Sequence, residues 1–443
     1  MESFLLELKS ICKSYKFLIL ILVLFLFQMI FIQQAMVENK SRERITLITL
    51  QSNVEGYERK MDSLERNWQH GRLAITPEQY EAALGYYNYN ILLRKEKLES
   101  YLAKDWSEYS RMEALGRLLL WDLETRNINP TPQQYFGENW NEVKAKLNYP
   151  EFEVAQELYQ PFIADEFSST MVISMYYLEL ANSNLKPAGP HSTSPWAFLL
   201  NFLRGGFPHI LGVIVFMATV NILHRDKSSG AIKSYLSSPK SRTRYLLRKL
   251  SLGFWASSIV LLLPQLFTVL FLGLKHGFQG LNYPILLDRY ILSNLNAFPD
   301  HLIQPHSFEA GLSRIQFPFL ISRLEYVDFA PLWQFLSLAA VQVLLFILFC
   351  TALALLISVL VKNEVIAHLV AAGTFIVGSA FGNIVPKLST TAWDLFSKAD
   401  VVPLLEGSHA STYFSSLLTL SIATILIFIG AAVIFKKQDI TCI

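Results

Sequence analysis

The chain alternates long apolar runs with long polar stretches, and the runs set its plan. Six are long enough to consider as membrane spans, given that ~20 consecutive apolar residues cross the hydrocarbon core. They are Phe17–Val37, Phe207–Leu223, Leu250–Leu274, Leu332–Val361, Val365–Val385 and Tyr413–Phe435. The first is too long for a signal-peptide core and no small-residue cleavage pattern follows it, so it reads as a retained anchor. The fourth exceeds the minimum, which predicts tilt or extension beyond the bilayer. Only Lys362, Asn363 and Glu364 part it from the fifth, which demands a tight turn.

Between the first two runs, residues 38–195 show helical periodicity without membrane-length apolar stretches. Leu47, Leu50, Val54, Tyr57, Met61, Leu64 and Trp68 recur at alternating steps of three and four, one stripe of a helix that should stop near Gly71. "TPEQ" follows: Thr76 as N-cap, Pro77 at the first helical position, Gln79 closing a capping box. A second stripe runs Tyr80, Leu84, Tyr87, Ile91, Leu98, Tyr101, so two antiparallel helices should bury their stripes against each other. A third helix is expected from Ser107 to Thr125, and a further one over Glu151–Leu180, interrupted near Pro161. The fold class is therefore an all-α membrane protein: six transmembrane helices, with a mainly helical extracytoplasmic domain (38–195) between spans one and two. A second extracytoplasmic insertion is expected at 275–331 and an outer re-entrant segment at 386–412.

Charge orients this plan. Lys9, Lys13 and Lys16 precede the first span, and Lys362 lies between the fourth and fifth. Lys436 and Lys437 follow the sixth, and the densest group, Arg225 to Lys249, lies between the second and third. With six spans all these segments fall on one side, the cytoplasm by the excess of positive charge, and both termini with them. A hydrophobic content of 52 % agrees with the membrane class, and a net charge of +2 gives no reason to expect nucleic acid. The three cysteines, Cys12, Cys350 and Cys442, avoid both outer insertions, which excludes a disulfide framework there.

Little in the sequence points to chemistry. There is no G-x-x-x-x-G-K-[ST], so the chain holds no phosphate loop of that kind, and no H-E-x-x-H. His301, His306, Asp300 and Glu309 lie close in sequence, but prolines break any helical ligand spacing, so no metal is expected. Ser379 in "VGSAFGN" is a lone serine without a paired base; its flanking Gly378 and Gly382 form a G-x-x-x-G pair that serves close helix packing. Arg204 reads as an interfacial residue at the outer mouth. His368 reads as snorkelling to the inner surface. The main polar residues of the spans, Gln265, Gln334 and Gln342, are neutral, which suggests that the energy source lies elsewhere.

The basic segment "DKSSGAIKSYLSSPKSRTRYLLRKL" admits three readings. Positive charge holds a loop inside. Arg242, Arg244, Arg248 and Lys249 suit anionic lipid headgroups. Finally, Ala231, Ile232, Tyr235 and Leu236 make a short apolar stripe, begun by Asp226 and Ser228 and ended by Pro239, which suits docking into a groove on another protein. This third pattern resembles the segment after the second span of ABC-transporter permeases of the type-2 exporter family. That family shows an acid four residues before a Gly, an apolar pair, Leu-x-x-x-Pro, a Ser/Thr-Arg pair and a Lys at the third span. Here these are Asp226, Gly230, Leu236 and Pro239 (with two residues rather than three between them), Ser241–Arg242 and Lys249. The family often has Glu and Thr where this chain has Asp226 and Ala231.

The resemblance implies a permease that pairs with a second copy or a sister permease and meets two cytosolic ABC ATPase subunits. Asp226, Gly230, Ile232, Tyr235, Leu236, Pro239 and Arg242 would form its coupling element. ATP and Mg would be cofactors of the partner ATPase and none of this chain, which would not itself be an enzyme. Membrane lipid is the remaining expected partner, and the bacterial cytoplasmic membrane the expected location. A non-transporting receptor or scaffold working through its helical outer domain is the alternative, and an intramembrane hydrolase lacks the paired groups it needs.

Overall fold

The structure is a computed structural model describing residues 2–124, 132–148, 164–189, 192–204, 207–230, 232, 242–295, 308–315, 327–384, 394–407, 409 and 411–438. Helix dominates. The elements are α1 (Glu2–Cys12), α2 (Tyr15–Gln69), α3 (Pro77–Ala103), α4 (Trp106–Glu124), α5 (Pro132–Phe136), α6 (Trp140–Leu147) and α7 (Ala164–Ala181). There follow α8 (Pro195–Arg204), α9 (Phe207–Ser228), α10 (Arg242–His276), α11 (Tyr290–Ser293), α12 (Leu332–Leu360), α13 (Glu364–Ile384), α14 (Val401–Leu405) and α15 (Tyr413–Lys437).

Each of the six apolar runs falls on a helix. Among the described residues four are long and apolar enough to cross a membrane: the apolar part of α2, and α10, α12 and α15. The other two runs are shorter as apolar stretches. α9 carries Arg225, Asp226 and Lys227 in its last turns, and the apolar part of α13 is Glu364–Ser379. The turn between α12 and α13 is as tight as expected. The Asn363 side chain caps α13 by accepting from the backbone N–H of Val365 (2.9 Å) and Ile366 (3.2 Å).

Two boundaries differ from the sequence expectation. The first span and the first outer stripe are not separate helices but one, α2, whose 55 residues extend ~80 Å at ~1.5 Å each. No glycine or proline interrupts residues 38–46, so nothing ends the helix where the apolar run stops. Likewise α9 runs on through Ser228 and α10 starts at Arg242, so both ends of the expected loop 224–249 are helical. Arg, Leu and Lys are good helix formers, and "RTRYLLRK" simply continues the third apolar run by two turns.

The hairpin of α2 and α3 is built as its stripes predict. Thr76 Oγ1 accepts from the Gln79 N–H at 3.2 Å, and Gln79 Oε1 accepts from the Thr76 N–H at 2.8 Å, closing the capping box. Across α2 and α3, Trp68 stacks on Tyr80 (4.6 Å between centroids) and Tyr57 meets the edge of Tyr87 at 6.2 Å. α4 packs along α7 and also against α3. Of the helix expected over Glu151–Leu180, only the part from Ala164 onward is described.

The second insertion adds what the periodicity did not predict. β1 (Pro284–Asp288) pairs antiparallel with β4 (Val327–Pro331), with Leu286 opposite Phe329; β2 (Phe308–Ala310) pairs with β3 (Ser313–Ile315). These ladders are small, and the chain stays predominantly helical. They also merge the two insertions. Met171, Tyr176 and Leu180 of α7 share one core with Ile285 and Leu287 of β1, with Leu332 and Phe335 at the start of α12, and with Leu404 of α14. Below it a second core fills the bundle, joining Leu24 of α2, Val215 of α9, Val260 of α10, Phe346 of α12 and Phe375 of α13.

Candidate functional site

At the basic end of the bundle, the ends of α9, α10, α12 and α15 close around a small apolar core. Leu223, Tyr245, Leu246, Leu355, Val359 and Phe435 form it, and Ile232 is fully buried within it. The sequence placed Ile232 on an exposed docking stripe. Its side chain is instead packed into the bundle. Tyr235, Leu236 and Pro239 lie outside the described residues.

Asp226 sits in the last turn of α9. Its Oδ2 accepts from the Tyr245 hydroxyl (2.6 Å) and pairs with Lys249 Nζ at 2.6 Å. Lys249 is only 2 % exposed, and its ammonium also pairs with Glu7 of α1. Arg248 meets the second oxygen of Glu7 at 2.8 Å. A buried ammonium is costly unless opposite charge and hydrogen bonds replace its water; here two carboxylates do so. Tyr245 supports the group from below, lying under Lys249 (5.4 Å) and stacked on Phe435 with ring planes 15° apart.

Gly230 ends α9 with φ +72°, a left-handed conformation that suits glycine at a helix C-terminus. At the other end of the segment, Arg242 Nη1 donates to the carbonyls of Lys436 and Gln438, both at 2.9 Å. A guanidinium there satisfies orphan carbonyls and complements the dipole at the end of α15. Gln438 in turn donates to the Val359 carbonyl (2.9 Å), and Lys227 to the Ser358 carbonyl (2.6 Å), so α12 joins the same knot.

This geometry gives three of the four bases partners within the protein. Lys249 is enclosed, and Arg242 and Arg248 bind protein groups; of the four only Arg244 is exposed. The sequence reading missed Glu7. Its signal was present in "ESFLLELKSIC", where apolar Leu8, Ile11 and Cys12 line one face of an eleven-residue helix ahead of the first span.

The glycine pair is placed in part. A Cβ on Gly378 would lie 2.2 Å from the Phe396 ring, so this glycine makes room for the segment ahead of α14 rather than for another long helix. Gly382 lies in α13, and nothing further about its surroundings is described. At the same level Gln342, fully buried, donates to the Lys398 carbonyl (3.0 Å) and the Ser416 hydroxyl (2.6 Å). Arg204 pairs with Glu406 at 2.6 Å. His301, His306 and Asp300 lie outside the described residues, among which no metal-ligand cluster occurs.

A family model described as ABC-2 family transporter protein matches residues 1–440. The chain belongs to that family. It is thus the membrane permease component of an ABC transporter, a class whose members are not themselves catalytic and associate with an ABC ATPase. No curated protein and no solved structure matches it. For this permease, the match covers the N-terminal helix, both long insertions and the knot around Asp226 alike.

Proposed function

We propose that this permease is the translocating subunit of an ATP-driven exporter, coupled to a separate cytosolic ATPase through segment 229–241. The observation that carries the proposal is how both ends of that segment are fastened. Asp226 is tied to α10 and through Lys249 to α1, Ile232 is sunk into the core, and Arg242 holds the end of α15. A force on the segment therefore reaches α1, α9, α10 and α15 together, and α12 through Lys227. Tyr235 and Leu236 supply the apolar contact with the ATPase, and Pro239 ends it. Six helices cross the membrane, both termini are cytoplasmic, and two permeases face two ATPases. ATP and Mg belong to the ATPase, and the location is a bacterial cytoplasmic membrane.

The test is co-purification with an ABC ATPase encoded beside the permease, followed by Tyr235→Asp and Leu236→Asp. Each should lower permease-stimulated ATP turnover about tenfold, the scale of losing an apolar interface anchor, while the variants keep the wild-type melting temperature. Full binding and stimulated turnover in both variants would overturn the assignment.

A further inference from the structure

A cavity of about 500 Å³ opens between α2, α3 and α4 in the helical unit that follows the first apolar run. It exists because α3 packs against both α2 and α4, leaving a gap between the outer two. That size is within the ~300–1,000 Å³ of small-molecule sites. Its wall is divided by chemistry. Leu50, Leu93 and Met112, each buried, give an apolar floor, while Arg94, Lys97, Arg117 and Glu113 give charge.

Three bases face one acid in a stretch of chain where acids otherwise outnumber bases. Lys97 is committed to Glu113 by an ion pair. Arg117 faces the same carboxylate, so three bases share one negative charge and the wall keeps a net positive charge. Arg94 is held in place: its guanidinium carbon lies over the Tyr57 ring at 3.8 Å and Nη1 donates to Asn90 Oδ1 at 3.1 Å. Its Nε is nevertheless buried without an acceptor. A buried donor left unmade is costly, so an incoming acceptor gains what the apo protein forgoes. Planar guanidinium groups favour oxyanions, which they bind through paired N–H donors.

From this geometry we infer that the cavity is a binding site for a small organic anion, with an apolar body on Leu50, Leu93 and Met112 and an oxyanion head on Arg94 and Arg117. The site stands apart from the knot around Asp226, and the inference uses nothing of the transport reading. The mouth on the α2 side carries Thr49, which is exposed.

The experiment uses the full chain in phosphatidylcholine nanodiscs and equilibrium dialysis, with empty nanodiscs subtracted. The probes are naphthalene-2-sulfonate and its neutral partner naphthalene-2-sulfonamide. The sulfonate should bind one saturable site at least about tenfold more tightly than the sulfonamide, and added salt should narrow the difference. Arg94→Gln and Arg117→Gln should each remove most of that preference. Thr49→Trp should block both probes by filling the mouth. Equal binding of the two probes by the wild-type protein overturns the inference whatever the variants do. So does sulfonate binding that survives Arg94→Gln, Arg117→Gln and Thr49→Trp.

Discussion

Glu113 shows how single residues here are governed by what encloses them. Burial alone raises its carboxyl pKa. Lys97 and Arg117, with hydrogen bonds from Lys97 and Tyr109, outweigh burial and hold it below the ordinary range. A depressed folded-state pKa gives stability that is present above the unfolded value, ~4.3 for Glu, and is lost as pH falls through the folded one. Thermal unfolding followed from neutral pH to about pH 3.5 should therefore fall more steeply for the wild type than for Glu113→Gln, which starts lower and titrates less. Parallel pH profiles would refute this account of Glu113. Its neighbour Tyr109 moves the other way: burial, then the Glu113 charge, push the phenol pKa up, so it stays a donor throughout. None of this was visible in the sequence, where Lys97 and Glu113 are two charges among many.

Among the elements, those carried by local pattern are the ones the sequence predicted best. The hairpin of α2 and α3 needed only its two stripes and the capping box at Thr76. Thr76→Ala removes one half of that box and should cost about 1 kcal/mol, read as a lower melting temperature of the purified permease. An unchanged melting temperature would mean that the stacked Trp68–Tyr80 pair alone fixes the turn. The lengths of α2 and α10 were harder. Hydrophobicity marks where a helix can meet lipid, not where it ends, and both helices outrun their apolar runs. The strands of the second insertion were missed for the opposite reason. "PILLD" is a short apolar run whose state is set by its partner 40-odd residues later.

At the scale of the whole molecule, the two insertions behave as one body through the core that joins α7 to β1. Ile285, fully buried there, tests this. Ile285→Ala should cost ~2–5 kcal/mol and speed amide exchange in α7, more than a hundred residues away in sequence. Exchange that rises only in β1 and β4 would show the insertions to be independent. The knot at the opposite end has the same long-range character. Lys249 meets Glu7 from 242 positions away, and Arg242 meets the end of α15 from 196 away. A displacement of segment 229–241 is shared among helices for that reason.

By itself the sequence determined the membrane class, the helical content, the hairpin and the family-like segment from Asp226 to Lys249. Those signals are local: apolar run length, a 3.6-residue period, a cap, a motif of fixed spacing. Only the tertiary structure decided that Lys249 is an internal ion partner rather than a headgroup ligand, that Ile232 points inward, that Gly378 receives Phe396, and that Arg94 faces a cavity. Each depends on which distant residue arrives opposite. An isolated charge or glycine has no period to reveal its partner, and the desolvation that gives the pairing its strength exists only once the helices have packed.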